Sequence, residues 1–140
     1  MILCPVCRSP NLYTKAENLY VCNDCGNEWE QFTPKVYAVD FDGCLCEEAW
    51  PEIGKPKQHV IDHFINLRAC GHKLILNTCR EGKYLDDARK WCENLGLVFD
   101  AYNENLPERI AQYGGDCRKI SADYYIDDKN ATIEDGRIFQ

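Results

Sequence analysis

Val36-Tyr37-Ala38-Val39-Asp40-Phe41-Asp42-Gly43-Cys44-Leu45 is a run of β-forming residues that ends in two carboxylates and a glycine. Residues i and i+2 of a strand point to one side of the sheet. A strand ending here lets Asp40 and Asp42 face the crevice beyond its carboxyl end, where open α/β sheets bind ligands. Gly43 lets the chain turn away without a Cβ clash. Two acids held this close in a cleft repel each other, and a divalent cation or a shared proton relieves them. Asp-Gly after a strand is also an ordinary turn signal, so the pair takes its meaning from the rest of the chain.

Downstream, strands and helices alternate. The pattern predicts a loop over Glu47–Lys57, punctuated by Pro51, Gly54 and Pro56, and a helix over Gln58–Ala69 with Val60, Phe64 and Leu67 on one face. A buried strand over Lys73–Asn77 follows, then a helix over Tyr84–Leu95, a short strand over Leu97–Ala101 and a helix opened by Pro107. Tyr124-Tyr125-Ile126 forms a last strand that again ends in two acids, Asp127-Asp128, and Ala131–Gln140 adds an edge strand or trails as a tail. Such alternation predicts a Rossmann-like, three-layer α/β fold with a parallel sheet.

Three strands end in polar residues that can meet at one edge: Asp40 and Asp42, Asn77 and Thr78, and Asp127 with Asp128. Lys119 lies just upstream of the last pair. A carboxylate nucleophile, a hydroxyl, a cation and a metal-binding acid pair in one crevice are what phosphoryl transfer through an aspartyl-phosphate needs.

With these residues in place, the chain resembles the haloacid dehalogenase superfamily of phosphatases over residues 36–128. Asp40-Phe41-Asp42-Gly43-Cys44-Leu45 is similar to its first motif, Leu76-Asn77-Thr78 to its second, Lys119 to its third and Tyr125-Ile126-Asp127-Asp128 to its fourth. Cys44 stands where threonine is most usual, and Arg118 competes with Lys119 for the third motif. The resemblance implies that Asp40 attacks phosphorus and that Asp42 protonates the leaving oxygen and later activates water. It implies Mg²⁺ at Asp40, the Asp42 carbonyl, Asp127 and Asp128, with Thr78 donating to a phosphoryl oxygen and Lys119 neutralising charge. Asn77 and Arg80 are expected to contact the substrate. Only 35 residues separate Asp42 from Thr78 and 40 separate Thr78 from Lys119, so no cap domain fits. The chain is thus similar to small capless members of the superfamily.

Residues 1–33 read as a separate module, and residues 34–140 as the hydrolase-like domain. Cys4-Pro5-Val6-Cys7 and Cys22-Asn23-Asp24-Cys25 are separated by fourteen residues. Four thiolates at this spacing suit a closed, tetrahedral, structural Zn²⁺ site. Leu12–Thr14 and Leu19–Val21 read as short strands between the two knuckles, and so small a module depends on its metal to fold. This segment looks like a zinc ribbon and resembles the N-terminal ribbon of PhnA-like proteins. Thr33-Pro34 marks the boundary.

Ten cysteines in this arrangement fit a reducing compartment with one metal site better than a disulfide framework. A cytoplasmic location is expected, because the N-terminus lacks a signal-peptide pattern and no apolar run is long enough to span a bilayer. The net charge of −7 is shared by both parts, and neither carries the basic stripe of a strong nucleic-acid binder. The expected substrate is a phosphorylated small molecule or macromolecule, with a polynucleotide end disfavoured by charge. Recruitment of a polynucleotide-end or phosphoprotein phosphatase by the ribbon is one alternative. A non-catalytic scaffold with the ribbon as docking module is another.

Overall fold

The structure, a computed structural model, describes residues 2–134 and 137–139. The chain divides into two compact units, Met1–Pro34 and Lys35–Gln140.

The first unit is an antiparallel meander of β1 (Leu12–Ala16), β2 (Leu19–Cys22) and β3 (Glu28–Glu30). Its third strand escapes a hydropathy reading because Trp29 lies between two glutamates. Pairing with β2 places Trp29 opposite Tyr20, and the rings stack with centroids 5.8 Å apart. Among its described residues the buried hydrophobic ones are Cys4, Val21 and Cys22, so two of the three belong to the cysteine cluster.

The second unit opens with β4 (Val36–Val39). The segment expected to be a loop is instead a hairpin of β5 (Cys46–Ala49) and β6 (Glu52–Pro56). Gly54 reads as a breaker, but here it permits close approach of the partner strand, since a Cβ would stand 2.0 Å from the Glu47 carbonyl oxygen. Next come α1 (Gln58–Ala69), β7 (Lys73–Leu76), α2 (Gly82–Asn94), β8 (Ala101–Tyr102), α3 (Pro107–Tyr113) and β9 (Tyr124–Ile126). The expected strand over Leu97–Ala101 shrinks to Ala101–Tyr102. Leu97 and Phe99 are buried like strand residues, but the Leu97 N–H donates to Cys92 at the end of α2 and the Phe99 N–H to the Tyr102 hydroxyl. Helix end and side chain take the donors that a ladder would use. The segment expected to be edge strand or tail pairs with itself as β10 (Thr132–Glu134) and β11 (Arg137–Phe139); Asp135, Gly136 and Gln140 lie outside the described residues.

Four parallel strands form the central sheet in the order β8-β7-β4-β9. Along β4 the side chains alternate. Val39, with Leu74 and Leu76 of β7, joins Ile61 and Phe64 of α1 and Ala88 and Cys92 of α2 in one core. Val36 and Ala38 pack on the other face with Ile75, Ala101, Leu106 and Ile120, the last two flanking α3. Each buried aliphatic side chain of this size contributes about 1.5–3 kcal/mol relative to exposure. β7 and β8 lie on one side of β4 and β9 on the other, so the strand order reverses between β4 and β9. A crevice at such a switch point, beyond the carboxyl ends of the strands, is where ligands meet an open parallel sheet.

Candidate functional site

Backbone hydrogen bonds bring the ends of the central strands into line. The Asp40 N–H donates to the Ile126 carbonyl at 2.8 Å, and the Asn77 N–H to the Val39 carbonyl at 2.8 Å. Asp40, Asp42, Thr78, Asp127 and Asp128 consequently line one cleft of about 320 Å³, together with Arg80, Cys79, Lys129 and two residues of the hairpin, Glu48 and Trp50.

Asp40 is half-buried, and its pKa is pushed up to about 6. Burial is the leading cause, reinforced by the charges of Asp127 and Asp128. Carboxylate oxygens of Asp40 and Asp128 and the Cys44 sulfur lie within 4.8 Å of one another. The Cys44 thiol is pushed up to about 11, first by burial and then by Asp40, Asp128 and Asp127. Lys57 opposes this, and its Nζ donates to the Gly43 carbonyl at 2.7 Å. Gly43 has a φ of +86°, and a Cβ there would stand 2.2 Å from Asp128 Oδ2. The glycine therefore serves both the turn and the approach of the second acid pair.

Asp42 differs from Asp40 in having a dedicated partner. Arg80 Nε donates to its Oδ2 and Nη2 to its Oδ1, both at 2.8 Å. Nη2 also donates to the Glu52 carbonyl at 2.9 Å and Nη1 to the Pro51 carbonyl at 3.2 Å. The guanidinium lies 5.1 Å from the Phe41 ring centroid and 4.9 Å from that of Trp50. Arg80 is only 1% exposed, and hydrogen bonding to Asp42 is the main cause that raises its pKa. Expected as a substrate contact, it lines the cleft but directs its fork at Asp42 and the hairpin.

Lys119 and Arg118 are exposed and are not among the cleft-lining residues. Lys119 Nζ lies 5.4 Å from the centroid of the Tyr125 ring. The cations that line the cleft with the acids are Lys129 and the buried Arg80, and Lys57 reaches the Gly43 carbonyl between Asp42 and Cys44. Lys129 was open to inference from its place after Asp127-Asp128, whereas nothing local marks Lys57. Asn77 is exposed and outside the lining, next to Thr78. The Thr78 Oγ1 accepts from the Arg80 N–H at 3.2 Å. Asn103 staples this loop: its Oδ1 accepts from the Thr78 N–H at 2.8 Å and its Nδ2 donates to the Arg80 carbonyl at 2.9 Å. Trp50 and Tyr84, both exposed, pack with ring centroids 4.8 Å apart beside the hairpin.

In the first unit, Cys4, Cys7, Cys22 and Cys25 converge, with Cys4–Cys25 and Cys7–Cys22 sulfurs each 3.5 Å apart. A tetrahedral Zn²⁺ with bonds of about 2.3 Å separates its sulfurs by roughly 3.8 Å, so the cluster fits that ion. The Val6 and Cys7 N–H groups point at the Cys4 sulfur at 3.4 and 3.5 Å. Burial opposes the Cys4 thiolate, but these N–H groups and the neighbouring thiols outweigh it and draw its pKa down to about 6. Four protein ligands close the coordination sphere, which makes the site structural.

Fold and site define a class: a four-cysteine zinc ribbon followed by an α/β domain with a parallel four-stranded sheet and a carboxylate-lined cleft at its switch point. Residues 1–30 match the model of a zinc ribbon domain family. A solved structure of a conserved protein coded by a locus of Bacteroides thetaiotaomicron is 40% identical, with a TM-score of 0.63 over 70% of this chain and 78% of that one. The chain belongs to the family of that conserved protein. Comparison with curated proteins returned no match.

Proposed function

We propose that the α/β domain is a magnesium-dependent phosphomonoester hydrolase working through an aspartyl-phosphate. The observation that carries this reading is the clustering of Asp40, Asp127 and Asp128 with Asp42 and Thr78 around one cleft at the strand-order reversal. The motif resemblance to haloacid dehalogenase-type phosphatases supports it.

Asp40, held above its ordinary pKa by burial and by the charges of Asp127 and Asp128, marks a site prepared for positive charge. Mg²⁺ held by Asp40, Asp127, Asp128 and the Asp42 carbonyl would supply charge neutralisation at the phosphoryl group. An Asp40 oxygen forms the new bond to phosphorus as the ester P–O bond breaks, and Asp42 gives its proton to the departing oxygen. Water then attacks the aspartyl-phosphate, Asp42 takes the water proton, and orthophosphate leaves with Asp40 regenerated. Thr78 would donate to a phosphoryl oxygen, and Lys129, which lines the same cleft, would offset the charge that Lys119 was expected to meet.

Hydrolysis of an aryl phosphate, measured with Mg²⁺ and with chelator, tests this reading beside Asp40→Asn. Expected is metal-dependent turnover that falls by about a thousandfold or more in the variant, the loss associated with removing a nucleophile. Turnover that survives the substitution, or none from the folded wild-type chain with Mg²⁺, would reject it.

A further inference from the structure

We propose that Arg80 is a positioning residue that fixes the Asp42 carboxylate for proton transfer and ties it to the β5–β6 hairpin over the cleft; this rests on the hydrolase reading above.

A guanidinium that is 1% exposed is costly to desolvate, and burying it gains the fold little over an apolar side chain. What it gains here is direction. The planar fork meets both oxygens of Asp42, so the carboxylate, which lines the cleft, cannot spin about its last bond. Two of its roughly four lone-pair sites are used, and one on each oxygen remains for the proton that moves. Arg80 itself is immobilised by the Pro51 and Glu52 carbonyls and by the Phe41 and Trp50 rings. Its backbone shares a short loop with Thr78, and Asn103 bonds to both residues. One side chain thus registers the acid–base carboxylate, the phosphate-facing hydroxyl and the hairpin against one another. Lysine cannot replace it, since a single ammonium cannot engage two coplanar oxygens and two carbonyls with the same geometry.

The test is a double-mutant cycle of Arg80→Lys and Asp42→Asn in the full chain with Mg²⁺, on phenyl phosphate and dinitrophenyl phosphate. Acting through Asp42, Arg80→Lys lowers kcat on phenyl phosphate by about tenfold to a hundredfold, the scale of a misplaced catalytic group. KM changes little. The loss is smaller on dinitrophenyl phosphate, whose leaving group needs less help from a proton. In the Asp42→Asn background the same substitution has no further effect. Equal losses on both substrates, or full additivity with Asp42→Asn, would assign Arg80 a purely structural role and overturn the proposal. If wild type shows no Asp40-dependent turnover, the hydrolase reading itself fails and takes this one with it. Should Arg80→Lys not fold, Arg80→Gln enters the same cycle. The folded wild-type protein gives a further readout, an Arg80 Nε–H resonance protected from exchange that is lost in Asp42→Asn. Exchange as fast as at exposed arginines would overturn the pairing.

Discussion

Asp40 carries its site's electrostatic burden in a form that stability measurements can read. Its pKa is raised from 3.8 to about 6, chiefly by burial and then by Asp127 and Asp128. Below about pH 4 the folded and unfolded chains both hold this proton. Between about pH 4 and 6 the folded chain keeps it while the unfolded chain releases it, so the stability Asp40 lends declines as pH rises, and above about 6 the penalty is constant. In chelator, Asp40→Asn removes the penalty. The variant's melting temperature should match wild type near pH 4 and exceed it by roughly 5 °C near pH 7.5, the shift that about 1 kcal/mol produces in a domain of this size. A difference that does not grow with pH would show that Asp40 is not held against its ionisation. The acids at the strand ends were legible because residue type, period and a following glycine coincide at Asp40-Phe41-Asp42-Gly43, and because a second β-forming run ends in two adjacent acids at Asp127-Asp128. The Arg80–Asp42 pair was not, since nothing local reports an ion pair spanning 38 residues.

Elements, rather than single residues, hold the cleft open, and two asparagines after β8 divide that work. Asn105 is 3% exposed; its Oδ1 accepts from the Ser121 N–H at 2.6 Å, and its Nδ2 donates to Asp116 Oδ1 at 2.7 Å and the Cys117 carbonyl at 3.1 Å. It pins the return from α3 toward β9, and so the placement of Asp127 and Asp128. Asn103 is exposed and secures the Thr78–Arg80 loop. Asn105→Ala should cost about 2–3 kcal/mol in urea unfolding, because buried partners are left without a hydrogen bond. Asn103→Ala should cost under about 1 kcal/mol, yet lower kcat about tenfold by loosening Thr78. Equal effects of the two on stability would refute this division. The helices were legible from their apolar period, and α1 begins and ends where that period does. The β5–β6 hairpin was hidden by Pro51, Gly54 and Pro56, residues that mark loops by propensity but here make a tight turn and a close strand pair.

The whole molecule joins two units that owe their cores to different forces. In residues 35–140 the buried set runs through both faces of a parallel sheet. Among the described residues of the first unit, Val21 is the one buried aliphatic, and Cys4 and Cys22 supply the rest as metal ligands. Hydrophobic burial on that scale does not offset the entropy of ordering about thirty residues, so the metal must. That dependence was legible in the spacing of the two knuckles, since thiolate pairs at this separation have few other uses; the zinc ribbon family match covers the same residues. The chain as isolated should contain one Zn²⁺, and Cys22→Ser should lose it. Stripping the metal with a strong chelator should open residues 1–34 to proteolysis while the main thermal transition, belonging to residues 35–140, stays within about 2 °C of its value with metal. Phosphatase turnover in Mg²⁺ should survive in Cys22→Ser, because the closed zinc site supplies no open position for chemistry. A main transition that collapses as zinc is removed would mean that the α/β domain depends on the ribbon, and the two-force account would fall.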